Sequence, residues 1–98
     1  MLFAMYAKDK PGMGETRTAT RPVHLDHLNG LGDTLVLAGA LLDAAGNAEG
    51  SLMVIEAETI EAATAKFEAD PFVKEGIFGS YEIKPWRVAI DNTAKRAK

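Results

Sequence analysis

The chain has no cysteine, which removes disulfides, thiolate nucleophiles and thiolate metal ligands and fits a reducing compartment. It also lacks a long apolar run. The longest, Leu35 to Leu42, falls far short of the roughly 20 residues that a membrane-spanning helix needs. Met1-Leu2-Phe3-Ala4 passes straight into a strand-like pattern without the basic stretch of a secretory leader. The expected location is therefore cytoplasmic, with no membrane partner. Positive charge is not in excess: eleven Lys and Arg against fourteen Asp and Glu leave a net charge of −3, no electrostatic footprint for nucleic acid. Histidine is scarce. The two imidazoles, His24 and His27, are spaced i, i+3 without an H-E-x-x-H motif, so no metal is expected. Gly12, Gly14, Gly30 and Gly32 do not form a strand–GxGxxG–helix pattern, and no cofactor is expected either.

What is present describes one small globular domain. Of 98 residues, 47% are hydrophobic and 26% charged, which excludes a disordered chain. Residues 1–90 read as a single domain and 91–98, with Asp91-Asn92-Thr93 and Lys95-Arg96-Ala97-Lys98, as a polar, flexible tail. A domain of this size buries only roughly 60–70% of its unfolded surface, so pairing with a second copy adds useful burial.

The run Leu2 to Ala7 predicts a strand ending in the turn-rich Lys8-Asp9-Lys10-Pro11-Gly12. A helix is predicted from about Thr20 to Leu31, with Thr20 as cap, Pro22 in its first turn and Asn29-Gly30-Leu31-Gly32 as its stop. Asp33 to Ala40 and Ser51 to Ala57 predict the second and third strands, joined across Asp43 to Asn47. Thr59 caps a second helix that Pro71 halts at Asp70, a single helical turn follows at 71–76, and Ile77 to Val88 supplies a fourth strand that Pro85 restricts to an edge or a bulge. The order β-α-β-β-α-β is an α+β, ferredoxin-like split βαβ: a four-stranded antiparallel sheet with both helices on one face. The first and third strands are apolar on both sides, so the uncovered face calls for a second copy, sheet against sheet.

On the first helix, Arg21, His24, Leu25, Leu28 and Leu31 share a stripe. His24 thus puts a polar ring where leucine would be expected, while His27 turns toward solvent. A buried imidazole must satisfy both ring nitrogens, each at a cost of roughly 1–3 kcal/mol if left unpaired. Asp70, at the end of the second helix, can reach the inward face of the first and commit one nitrogen, leaving the other as a base; it can equally cap the Asp-Pro turn. Arg21, one turn before His24, with Arg17 nearby, offers a forked guanidinium to a carboxylate substrate. Tyr6 and Asp9 at the end of the first strand and Ser51 at the start of the third are candidates to line a cleft between sheet and helix. Trp86, Phe78 and Phe72 are candidates for its aromatic wall.

The motifs Tyr6-Ala7-Lys8-Asp9, Arg21-Pro22-Val23-His24-Leu25, Gly39, Gly50-Ser51 and Ala69-Asp70-Pro71-Phe72-Val73 occur in this order in one family. With the Gly76 turn and Lys84-Pro85-Trp86, the chain resembles the YCII-related (YciI-like) proteins from Met1 to about Val88. The resemblance implies a ferredoxin-like fold assembled as a dimeric α+β barrel and an acid–base dyad at the positions of His24 and Asp70. Among characterised relatives it points to dehalogenation or lactone-type chemistry on ring-derived acids. The leading expectation is a cofactor-independent enzyme in which His24 and Asp70 are the catalytic pair, Arg21, Tyr6, Asp9 and Ser51 bind substrate, and the reaction is an elimination, isomerisation or hydrolysis of a small organic acid. A reading of a different class is a non-catalytic small-molecule-binding or regulatory homodimer using the same pocket. A third, a pure interaction module, predicts no enclosed pocket.

Overall fold

A computed structural model describes residues 1–96 of the chain. Four strands, β1 (Leu2–Asp9), β2 (Leu35–Leu42), β3 (Ala48–Glu56) and β4 (Phe78–Trp86), form one antiparallel sheet in the order β2-β3-β1-β4. Three helices, α1 (Gly14–Gly30), α2 (Ile60–Glu68) and the single turn α3 (Pro71–Lys74), cover one side of it. This is the ferredoxin-like α+β fold, with one antiparallel sheet and helices on a single face. No helix is long and apolar enough to cross a membrane.

Strand alternation sorts the two faces. Phe3, Met5 and Ala7 of β1 stand opposite Ile55, Met53 and Ser51 of β3, and all six are buried toward the helices. The neighbouring positions Tyr6, Leu52 and Trp86 point the other way and are 49%, 37% and 44% exposed. That face carries Leu37 as well, an exposed apolar patch of the kind that marks an interaction surface. Pro85 lies in the edge strand β4, where its missing N–H breaks no interior ladder.

The helix ends differ instructively from expectation. Thr59 does cap α2, its hydroxyl accepting from the Ala62 N–H at 3.1 Å, and Asp70 caps α3 through the Phe72 N–H at 2.9 Å. The first helix, however, begins at Gly14 and not at Thr20, so Thr20 is a buried interior residue and Pro22 sits inside the helix, past its first turn. Met13 occupies the cap without a side-chain hydrogen bond. Glycine and an interior proline are poor helix formers, and the proline alone removes a backbone bond. The extra turns persist because they carry Arg17 into a buried ion pair, a tertiary gain that local propensity does not register. The strands also run differently from their expected bounds: β1 reaches Asp9, β2 starts after a 3-10 turn at Gly32–Thr34, and β4 ends at Trp86. In the expected polar tail, Thr93–Lys95 makes a 3-10 turn, and Ala97 and Lys98 lie outside the described residues.

Candidate functional site

The helix α1 packs against α3, and α2 lies over β1 and β4, so the region between α1 and the β2–β3 half of the sheet is left partly open. The side chains that β2 offers there are only Ala38 and Ala40, opposite Met53 and Ser51 of β3. These small residues leave a cavity of about 140 Å³ under α1, walled by Arg17, Arg21, His24, Ser51, Met53 and Phe72.

His24 is buried in this wall, at 8% exposure. Its Nδ1–H donates to the Asp70 carboxylate at 2.7 Å to Oδ1 and 2.9 Å to Oδ2. Asp70 is 1% exposed, and its Oδ1 also accepts the Phe72 N–H. Capping the Asp-Pro turn and holding the imidazole are thus one arrangement: the turn fixes the carboxylate, and the carboxylate fixes the tautomer. Phe72, carried by the same turn, stacks its ring on His24 with centroids 3.7 Å apart and planes 3° from parallel. The imidazole is immobilised on an edge and a face. Its Nε2 makes no hydrogen bond among the described residues, and His24 lines the cavity. The arrangement leaves one nitrogen able to accept or return a proton.

Seven residues before His24, about 10.5 Å along a helix axis, Arg17 is held as firmly. Its Nε–H donates to Asp9 Oδ2 at 2.9 Å, and its Nη2 to Ser51 Oγ at 2.6 Å and to the Gly50 carbonyl. The guanidinium carbon lies 4.7 Å from the centroid of Phe72, a cation–π distance. Gly50, whose carbonyl receives Arg17, also permits the close approach of β1, because a Cβ there would overlap the Ala7 carbonyl oxygen. Asp9 Oδ1 is buried without a partner among the described residues.

The expected site residues fall into three groups. His24, Asp70, Arg21 and Ser51 come together at or behind the cavity, with Arg21 at its exposed rim. Asp9 contributes indirectly, through Arg17, and does not line the cavity. Tyr6 does not join them: strand alternation turns it to the opposite, uncovered face of the sheet, a correction to its expected place in the cleft. Of the aromatic candidates, Phe72 alone is a wall; Phe78 packs edge-on against it in the core at 6.0 Å, and Trp86 lies on the far face. His27 is half-buried, its Nε2 at 3.3 Å from the Lys66 carbonyl, in line with its expected greater exposure. Among the described residues no group of three or more His, Cys, Asp or Glu side chains is placed to hold a metal ion.

Comparison with known proteins decides the lineage. The family description "YCII-related domain" matches residues 1–87. Protein YciI of Escherichia coli O6:H1 and Protein YciI of Shigella flexneri are each 37% identical over 95 residues, covering 89% of this chain and 97% of theirs. The chain belongs to the YCII-related family. Among solved structures, this YCII-related chain is similar to 5-chloro-2-hydroxyhydroquinone dehydrochlorinase from Burkholderia phenoliruptrix AC1100, seen in complex with 2,5-dihydroxybenzoquinone. That match has 32% identity and a TM-score of 0.84, covering 89% of this chain and 94% of the dehydrochlorinase. A protein from Bacteriodes thetaiotaomicron named for antibiotic biosynthesis monooxygenases, 17% identical with a TM-score of 0.60 over 100% of this chain and 95% of its own, shares the fold. Family membership and the match to the dehydrochlorinase support a small-molecule-binding or enzymatic role.

Proposed function

We propose that this YCII-related protein is a cofactor-independent acid–base enzyme acting on a small organic acid. The observation that carries the reading is the His24 ring, committed at Nδ1 to a buried carboxylate and unbonded at Nε2 beside a cavity. In the reaction, Nε2 accepts a proton from the substrate, and Asp70 stabilises the imidazolium that forms. In an elimination, the electron pair left by the departing proton forms the new π bond while the leaving group takes its own pair; the imidazolium then returns its proton to solvent. An isomerisation or a hydrolysis uses the same nitrogen with a different proton destination. Asp70 touches no substrate in this scheme and acts as a positioning residue. The similarity to a dehydrochlorinase supports elimination as the first chemistry to test.

The test is chloride release from 5-chloro-2-hydroxyhydroquinone, extended to other chlorinated and lactone-type acids. His24→Ala, with circular dichroism unchanged, is expected to lower turnover of whichever compound the wild-type protein consumes by about 10²- to 10⁴-fold; a fully active variant would sink the reading. Binding without turnover across the panel would place the protein in the class of non-catalytic metabolite binders. In the same reading the chain works as a homodimer joined through the uncovered sheet face, supported by the exposed Tyr6, Leu37, Leu52 and Trp86. Light scattering should find twice the chain mass, and Leu52→Glu should halve it.

A further inference from the structure

We infer that Arg17 is the anion-receiving group of the cavity. Its ligand carries an ionised oxygen against Arg17 and Ser51 and presents its acidic proton to Nε2 of His24. The inference rests on the acid–base reading above and adds the residue that orients the substrate. Arg17 is 8% exposed, yet it lines the cavity. Three of its five N–H groups are spent on Asp9, Gly50 and Ser51. Both hydrogens on Nη1 have no partner among the described residues, and Nη1 is not among the buried atoms lacking one. Arg17 therefore keeps one amino group that no oxygen claims among the described residues, on a side chain that borders the cavity.

The surroundings point the same way. Ser51 Oγ accepts from Arg17, so the serine's own O–H is free to donate into the cavity. Arg21 stands at the rim, and no Asp or Glu lines the space. The wall therefore offers N–H and O–H donors under positive charge together with the unbonded Nε2 of His24. Donors held rigidly before the ligand arrives need no reorganisation when negative charge reaches them. Size bears on the part of the ligand that is held inside. About 140 Å³ compares with a cavity of about 150 Å³ that accepts one benzene in an engineered lysozyme. Phe72 touches both Arg17 and His24, and all three line the same cavity. The substrate class is a single-ring or similarly small carboxylate, phenolate or enolate.

Calorimetric titration with benzoate and with its neutral counterpart benzamide reads this directly, without turnover. The wild-type protein should prefer benzoate by about tenfold or more. Because Arg17→Gln alone would strand the buried Asp9, the Asp9→Asn/Arg17→Gln double variant removes both charges together. It should lose roughly 10- to 100-fold in benzoate affinity, the scale of one charge-assisted hydrogen bond or two, with benzamide unaffected. Arg17→Lys, which keeps the charge and loses the fork, should fall between them. His24→Ala should retain the preference for benzoate. No preference in the wild type, or a double variant that binds benzoate as the wild type does, overturns the role given to Arg17. An active His24→Ala variant overturns the acid–base reading alone, so the two failures are separable.

Discussion

His24 and Arg17 stand seven residues apart on one helix, each gripped by a buried aspartate and each against the Phe72 ring, but the two stations are built for different work. At His24 both carboxylate oxygens of Asp70 are used, one of them twice. The partner there is an imidazole, which can be neutral or charged near physiological pH. At Arg17, Asp9 uses one oxygen and leaves the other buried and unpartnered among the described residues, and the guanidinium has no neutral form at any ordinary pH. One station can pass a proton. The other can only hold a charge in place. In the function proposed above, a cavity wall that joins them through a shared aromatic ring combines a transferable proton with a fixed cation, which is what acid–base work on an anion needs.

The comparison breaks most visibly in rate. His24→Ala should lower turnover by about 10²- to 10⁴-fold, the usual contribution of a general base, with native secondary structure by circular dichroism. Asp70→Asn should also fall steeply, and ¹⁵N NMR of the ring nitrogens should show the Nδ1–H tautomer of the wild type replaced by a mixture. A merely structural Asp70 would leave that tautomer signature unmoved.

Stability should rank the stations in the reverse order. Asp9→Ala strands a buried guanidinium and is expected to cost about 3–5 kcal/mol in urea unfolding. Asp70→Ala, whose imidazole partner can shed its charge, should cost less: about 1 kcal/mol for the helix cap plus one hydrogen bond. Equal losses would dissolve the distinction between a permanent ion pair and a neutral-capable one.

Gly50→Ala sharpens the contrast at a smaller scale. The added methyl meets the Ala7 carbonyl and must displace the backbone that receives Arg17. An overpacking cost of about 1–3 kcal/mol is expected, together with weaker benzoate binding and an unchanged His24 tautomer.

The smallest effect belongs to a phenol–carboxylate pair outside both stations. Tyr81 donates to Glu68 at 2.6 Å, and this bond, with burial and the charge of Glu68, raises the phenol above its ordinary value of 10.0. A group whose folded value is raised lends stability below its unfolded value and loses it as pH climbs through the folded one. The contribution should therefore fade only above about pH 10. Glu68→Gln should bring the phenolate absorbance transition back toward the ordinary range, leaving anion binding and turnover untouched.

Much of the first station was legible in the residue order. A histidine on an apolar helical stripe and an Asp-Pro step after the second helix each state a local requirement, and the ferredoxin-like topology brings two such helices side by side. The second station was hidden by weak local signals. A proline is best tolerated in the first turn of a helix, which placed the expected start at Thr20 and left Arg17 outside the helix. Extended back to Gly14, the same stripe reads Arg17, Thr20, His24, Leu28, all four buried, and that i, i+3, i+7, i+11 spacing was the available clue. Tyr6 illustrates a different limit. Both faces of β1 are apolar enough to be buried, so alternation shows that Tyr6 and Met5 part company without saying which side meets the helices.

By itself, then, the sequence determined the element order, the single small core, the inward imidazole and its aspartate, because each follows from spacing along one segment and from rules of handedness and pairing. Only the tertiary structure decided the length of α1, the face taken by Tyr6, and the meeting of Asp9, Arg17, Gly50 and Ser51. Those depend on contacts between residues 33 or more positions apart as well as near ones. The free energy of burying a guanidinium with its partners is a sum over such contacts, large enough to overrule a glycine and a proline, and no local pattern contains it.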